Sequence, residues 1–176
     1  MKVGHPLVEL RARAARVKLV VTDNDGVLTD AGVYYSERGE ELKRYSVRDG
    51  MGVERLRDVG IATAILTREL SGSAKARAAK LKLPFIWLGV LDKEAHLDTI
   101  LEEAHARPGE IAFIGDDVND LGLMKAVGRS GLTAAPGDAM ESVLDAAIFV
   151  TSRPGGHGSF REFAEWILGL RETEAP

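Results

Sequence analysis

Apolar positions along the chain follow two rhythms. Unbroken runs rich in β-branched residues occur at 17–23 (VKLVVTD), 61–67 (IATAILT) and 111–116 (IAFIGD), the pattern of strands buried on both faces. Shorter apolar stretches at Phe85–Leu88, at about Ser130–Ala134 and at Ala147–Val150 predict further strands. Between them, apolar side chains return at helical spacing over 6–15, 51–59, 71–82, 92–106, 119–127 and about 160–170. Gly60 closes the second of these as a C-cap. Residues 31–47 follow neither rhythm. Val33-Tyr34-Tyr35 and Leu42 to Val47 flank Glu37-Arg38-Gly39-Glu40 and predict a β-hairpin just after the first strand. Strands alternating with helices predict an α/β fold, a parallel sheet with helices on both faces. A single domain is expected over 1–176, with the hairpin at about 31–47 and a C-terminal tail at about 152–176 that includes the loop Gly155-Gly156-His157-Gly158.

Ligands of such sheets bind beyond the carboxyl ends of the strands. Three predicted strand ends carry Asp23, Thr67 and Asp116, which are expected to converge. Asp23 and Asp25 flank Asn24 in Asp-Asn-Asp-Gly. One carboxylate there can attack phosphorus, and a carboxyl two residues on can protonate the departing alcohol and then activate water. Bare carboxylates repel a phosphate ester, so a divalent cation is required, and oxygen ligands favour magnesium. Asp116 and Asp117, with Asn119 and Asp120 close behind, supply such ligands. The Thr67 hydroxyl can donate to phosphate, and Lys93, expected to open a helix, can offset its charge. Each signal alone is ordinary. Asp-x-Asp-Gly also occurs in turns and calcium loops, although 23–34 lacks the further acids of such a loop. Gly-Asp-Asp-x-Asn-Asp also suits a helix N-terminus. Order and spacing together point to one phosphate-handling site.

Composition narrows the classes. The 176 residues are 45% hydrophobic and 28% charged, and none is cysteine. That excludes a disulfide scaffold, a zinc-thiolate site and thiol catalysis. A formal net charge of −4 argues against nucleic acid as a partner. No apolar run suits a signal peptide or a membrane span, so a cytoplasmic protein without a membrane partner is expected. Lys2, Arg11, Arg13, Arg16 and Lys18 predict a basic surface helix.

Asp23-Asn24-Asp25-Gly26-Val27-Leu28-Thr29-Asp30, Thr67, Lys93 and Gly115-Asp116-Asp117-Val118-Asn119-Asp120 resemble the motifs of the haloacid dehalogenase superfamily of phosphatases. Arg48-Asp49-Gly50-Met51-Gly52, Gly89-Val90-Leu91-Asp92-Lys93 and Pro154-Gly155-Gly156-His157-Gly158 resemble one branch, the 3-deoxy-D-manno-octulosonate 8-phosphate phosphatases. The resemblance spans about Val17 to Leu168. It implies a Rossmann-like sheet with a small β-hairpin in place of a cap domain. It also implies Asp23 as nucleophile, Asp25 as acid/base, and magnesium held by Asp23, the Asp25 carbonyl and Asp116. Thr67 and Lys93 would bind phosphate; Arg68, Glu69 and Asn119 are candidates for the rest of a small phosphate-ester substrate. Homotetramers with hairpins assembled into a barrel are likewise implied.

The sequence departs from that branch at three places. Asn24 replaces an apolar residue and, if buried, needs hydrogen-bond partners. Thr67-Arg68-Glu69 stands where the octulosonate enzymes read Thr-Gly-Arg, and Glu69 resembles the nonulosonate 9-phosphate phosphatases. Ser159 replaces an alanine; the nearby His157 is expected to be an exposed loop residue. Three readings follow: an octulosonate 8-phosphate phosphatase, a nonulosonate 9-phosphate phosphatase, or a non-catalytic assembly module of the kind fused to cytidylyltransferases. The last would be expected to have lost the nucleophile or the metal acids, which are present here.

Overall fold

Each apolar run becomes a strand, and six strands form one parallel sheet in the order β5-β4-β1-β6-β7-β8. The structure is a computed structural model and describes residues 5–172. In chain order its elements are α1 (Leu7–Arg16), β1 (Leu19–Thr22), β2 (Thr29–Ser36), β3 (Gly39–Tyr45), α2 (Val47–Asp58), β4 (Ala62–Leu66), α3 (Gly72–Leu81), β5 (Phe85–Trp87), α4 (Leu97–Glu103), β6 (Ile111–Ile114), α5 (Leu121–Gly128), β7 (Leu132–Ala135), α6 (Glu141–Ala146), β8 (Phe149–Val150) and α7 (Ser159–Arg171). β2 and β3 stand apart as an antiparallel hairpin.

Strand alternation divides the core in two. Val20, Ile65, Ala112 and Ile114 face one layer, with Leu10 of α1, Leu56 of α2, Ala78 of α3 and Phe160, Phe163 and Ile167 of α7. Leu19, Val21, Leu66 and Phe113 face the other, with Ile100 of α4, Leu123 and Met124 of α5 and Val143 of α6. Each fully buried Val, Leu, Ile or Phe stabilises by about 1.5–3 kcal/mol, so packing rather than intrinsic propensity holds these short helices. Phe149 on the two-residue edge strand β8 stacks on Trp166 at 4.6 Å. No helix among the described residues is long and apolar enough to cross a membrane.

Several expectations need correction. α2 starts at Val47 rather than 51, with Ser46 capping the Arg48 amide. Gly50 and Gly52 weaken the helical signal, but α2 packs so closely on α7 that a Cβ at Gly52 would lie 3.0 Å from the Arg161 backbone. α4 starts at Leu97 rather than 92, because residues 93–96 form a turn in which Asp92 accepts the Ala95 amide. Lys93 therefore lies on a turn, not at a helix start. The six-residue α6 was not expected; it is too short to show a period. Nor is α1 a wholly solvated basic helix. Arg13 is buried and donates to the Gly128 and Gly131 carbonyls, both at 2.8 Å, because the turn after α5 has carbonyls left over. Lys2 and residues 173–176 of the expected tail lie outside the described residues.

α7 has no side-chain cap of its own. Asp49 on α2 supplies one across the interface, accepting the Gly158 amide at 3.1 Å and the Arg161 amide at 3.0 Å. Asp49→Ala strands those donors and is expected to cost about 1–3 kcal/mol, with Asp49→Asn costing less. The check is the urea midpoint at unchanged slope.

Candidate active site

The strand order reverses at β1, which lies between β4 and β6. Just beyond the carboxyl ends of these three adjacent strands come Asp23, Thr67 and Asp116, as the sequence led us to expect. They line one pocket of 280 Å³ with Asp25, Arg68, Glu69, Asp117 and Asn119. A larger, mostly apolar cleft near Val53, Ile61 and Leu83 holds none of these acids.

The Asp23 loop is fixed by its backbone. The Asp23 amide extends the sheet to the Ile114 carbonyl at 3.0 Å, and the Leu28 and Thr29 amides both bond the Asn24 carbonyl at 3.0 Å. Gly26 has φ +80°, and a Cβ there would run into the Asp116 carboxylate. Gly155 packs against the Gly26 carbonyl, where no side chain would fit, and the Gly156 amide bonds the Val27 carbonyl at 2.8 Å. The glycine loop before α7 thus buttresses the loop that carries Asp23 and Asp25.

Lys93 lies beneath the pocket, buried, 3.0 Å from Asp23 Oδ2 and 2.6 Å from Asp120 Oδ1. Asp120 Oδ2 accepts the Asp116 amide at 2.9 Å and the Asp117 amide at 3.3 Å. Both Asp120 oxygens are therefore engaged, and the residue orients the loop after β6. Oxygens of Asp23, Asp116 and Asp120 lie within 4.8 Å of one another. Asp116 Oδ1 is buried and has no hydrogen-bond partner.

Three clustered carboxyls around one ammonium leave two negative charges uncompensated. Burial raises Asp23 from 3.8 to about 7; the Lys93 charge opposes the rise and the Asp120 charge adds to it. Burial first, then the Asp23 and Asp120 charges, raise Asp116 from 3.8 to about 8. Lys93 stays charged and its pKa is raised: burial opposes this, but Asp23 and Asp120 outweigh it. A divalent cation supplies the missing charge, and the orphaned Asp116 oxygen is a free ligand for it, so the residues fit magnesium. The Asp120 oxygens are taken. Both Asp23 oxygens also have partners, the Asn24 amide at 2.6 Å and Lys93, so among the three the unpartnered oxygen is that of Asp116.

The other expected site residues divide between rim and support. Thr67 is buried; its oxygen accepts the Glu69 amide at 3.1 Å, which leaves the hydroxyl hydrogen free to donate. Arg68 and Glu69 are exposed on the rim, and Asn119 is half-buried. His157 is exposed, as expected, and its ring lies 2.8 Å from Arg44. Asn24 is buried and satisfied: it accepts from the Tyr45 hydroxyl and donates to Asp25 Oδ1, each at 3.2 Å. Ser159 meets the Thr151 hydroxyl at 3.0 Å. Sequence reasoning missed Lys43, whose ammonium lies 2.7 Å from Asp25 Oδ1 and 3.2 Å from Glu40 Oε2. Burial works against its charge, but the two carboxylates prevail and raise its pKa. Only the hairpin pairing brings Lys43 there, and no local motif announces it.

A family model for haloacid dehalogenase-like hydrolases matches residues 78–158, a span that includes Lys93 and Asp116. The 3-deoxy-D-manno-octulosonate 8-phosphate phosphatase of Haemophilus influenzae is 37% identical over 159 residues, covering 90% of this chain and 87% of that protein. The protein of the same name from Escherichia coli K12 is 34% identical over 94% of this chain and 86% of its own length. The cobalt-bound Haemophilus influenzae phosphatase superposes with TM-score 0.85 at 36% identity, over 90% of this chain and 91% of that one. The Moraxella catarrhalis phosphatase, solved with magnesium, phosphate and the octulosonate, superposes with TM-score 0.86 at 31% identity, over 93% and 92%.

The charge imbalance has a thermodynamic consequence. Both carboxyls have folded pKa values above their unfolded ones, so their contribution to stability is present below about pH 4 and lost as pH rises through 7–8. Without a divalent cation the protein should lose stability from pH 5 to pH 8. Magnesium at about a hundred times its Kd should then raise Tm by roughly 5–10 °C at pH 8. Calorimetry with and without chelator checks this, and Asp116→Asn should abolish most of the magnesium effect.

Proposed function

The chain belongs to the haloacid dehalogenase-like hydrolases, among the 3-deoxy-D-manno-octulosonate 8-phosphate phosphatases, and from that membership we propose that it hydrolyses 3-deoxy-D-manno-octulosonate 8-phosphate with magnesium. The observation that carries the reading is the pocket in which Asp23, Asp25, Thr67 and Asp116 meet, with Lys93 directly below. Asp23 attacks phosphorus and forms an aspartyl-phosphate as the bond to the sugar oxygen breaks. Asp25 gives its proton to that oxygen, then takes one from the water that opens the aspartyl-phosphate. Asp23, the Asp25 carbonyl and Asp116 would hold magnesium, which when bound neutralises phosphoryl oxygens and holds the group in line. Thr67 donates to a phosphoryl oxygen. Lys93 offsets charge on the phosphoryl group and favours the ionised form of Asp23 against the effect of burial. Arg68, Glu69 and Asn119 face the sugar acid from the rim.

The same reading extends to context. One domain carries the reaction, in the cytoplasm, and the product supplies lipopolysaccharide synthesis. Tyr34, Tyr35 and Leu42 are 65–71% exposed on the hairpin, which supports a homotetramer assembled through it. Glu69 favours a second reading, in which the substrate is a nonulosonate 9-phosphate.

Phosphate release measured across the two esters separates these readings: faster turnover of the octulosonate 8-phosphate supports the first. Asp23→Asn should lower kcat by on the order of 10⁴-fold with Tm retained; turnover near that of the unaltered enzyme would refute the nucleophile.

Glu69→Arg should move the ratio of kcat/KM values toward the octulosonate ester by about tenfold, the effect of about 1.4 kcal/mol. An unchanged ratio would show that Glu69 does not select substrate.

A further inference from the structure

The proposed mechanism gives no role to a cation that touches one of its own carboxyls. Lys43 lies on the hairpin, outside the main sheet, yet its side chain is 1% exposed. Its ammonium touches both oxygens of Asp25, at 2.7 Å and 2.9 Å. The other donors to that carboxyl, Asn24 at 3.2 Å and Thr29 at 3.4 Å, both reach Oδ1. Among the described residues, Lys43 supplies the hydrogen bond to Oδ2. Glu40 lies 3.2 Å from the same ammonium and is itself held by the hydroxyls of Ser71, at 2.7 Å, and Ser73, at 3.2 Å. Ser71 caps α3, so this chain of contacts ties the hairpin to a helix of the main fold.

A buried ammonium is tolerated when anionic partners compensate it. Its geometry here goes beyond compensation, since contact with both oxygens anchors the head of the carboxyl while Asn24 and Thr29 on Oδ1 set its rotation. We propose that Lys43 is a positioning residue that holds the Asp25 carboxyl in line for proton exchange with the departing and attacking oxygens, and that Glu40 holds Lys43. The inference rests on the acid/base role given to Asp25 above. Glu40 matters because it is the second carboxylate on the ammonium and is itself anchored by Ser71 and Ser73. A displacement of about 1 Å in a reacting group lowers rates by about 10²-fold.

Leaving-group dependence tests the role. The value of kcat/KM covers the steps through departure of the alcohol. An alkyl phosphate, either the sugar-acid ester or a simple one, needs the Asp25 proton at that point, whereas p-nitrophenyl phosphate does not. Lys43→Met should lower kcat/KM for the alkyl ester by about 10²-fold and for the aryl ester by less than about 5-fold, the aryl rate serving also as the check on folding. Lys43→Arg should recover most of the alkyl rate, and Glu40→Gln should lower the alkyl-to-aryl ratio by a smaller factor. Equal losses on both esters, or no loss on the alkyl ester, would overturn the proposal. If the Met variant does not fold, the Arg and Gln variants decide by the same ratio. Asp25→Asn, measured in parallel, separates the two levels. If it too lowers both esters equally, the acid/base role of Asp25 fails and the inference fails with it. If it discriminates and the Lys43 and Glu40 variants do not, only the inference fails.

Discussion

Three carboxyl groups share one ammonium beneath the carboxyl ends of β1 and β6, and the functional end of the molecule is built around that imbalance. Buried like charges are costly unless something compensates them. Lys93 compensates part of the charge and a divalent cation the rest. Asp120 spends its oxygens on Lys93 and on two backbone amides. That sets Asp116 where it has a ligand oxygen to spare. The charge deficit is thus a specification for the ion the site accepts.

The two hydrophobic layers hold this arrangement steady. They fix three parallel strands side by side, and the functional carboxyls lie a residue or two past the strand ends, where backbone position is still dictated by the sheet. The hairpin adds a second layer of control. It is not part of the sheet, and several of its large apolar side chains are exposed, yet Lys43 and Tyr45 reach back to Asp25 and Asn24. Asn24 illustrates the coupling. Replacing an apolar residue by an amide would strand two polar groups in the core, but the hairpin tyrosine and the Asp25 carboxylate satisfy them.

Much of the fold was legible in the sequence because strands buried on both faces must be apolar throughout, and that pattern survives without tertiary context. Asp23, Thr67 and Asp116 were legible for the same reason, as polar residues that end apolar runs. What escaped was non-local. The start of α2 was hidden by glycines that serve contact with α7. The start of α4 was displaced by the turn that delivers Lys93. Arg13 looked solvated because its carbonyl partners lie more than a hundred residues away. Lys43 escaped because strand register, not spacing along the chain, brings it to Asp25.

The contact between Gly155 and the Gly26 carbonyl joins positions far apart along the chain. Until the segment at 155–156 folds back, the loop bearing both aspartates lacks the backbone that packs against Gly26 and Val27. A chain in which that segment is displaced keeps the acidic groups but loses part of the frame that aims them. Competence for catalysis therefore depends on a long-range closure, the kind of contact that costs a chain most to form.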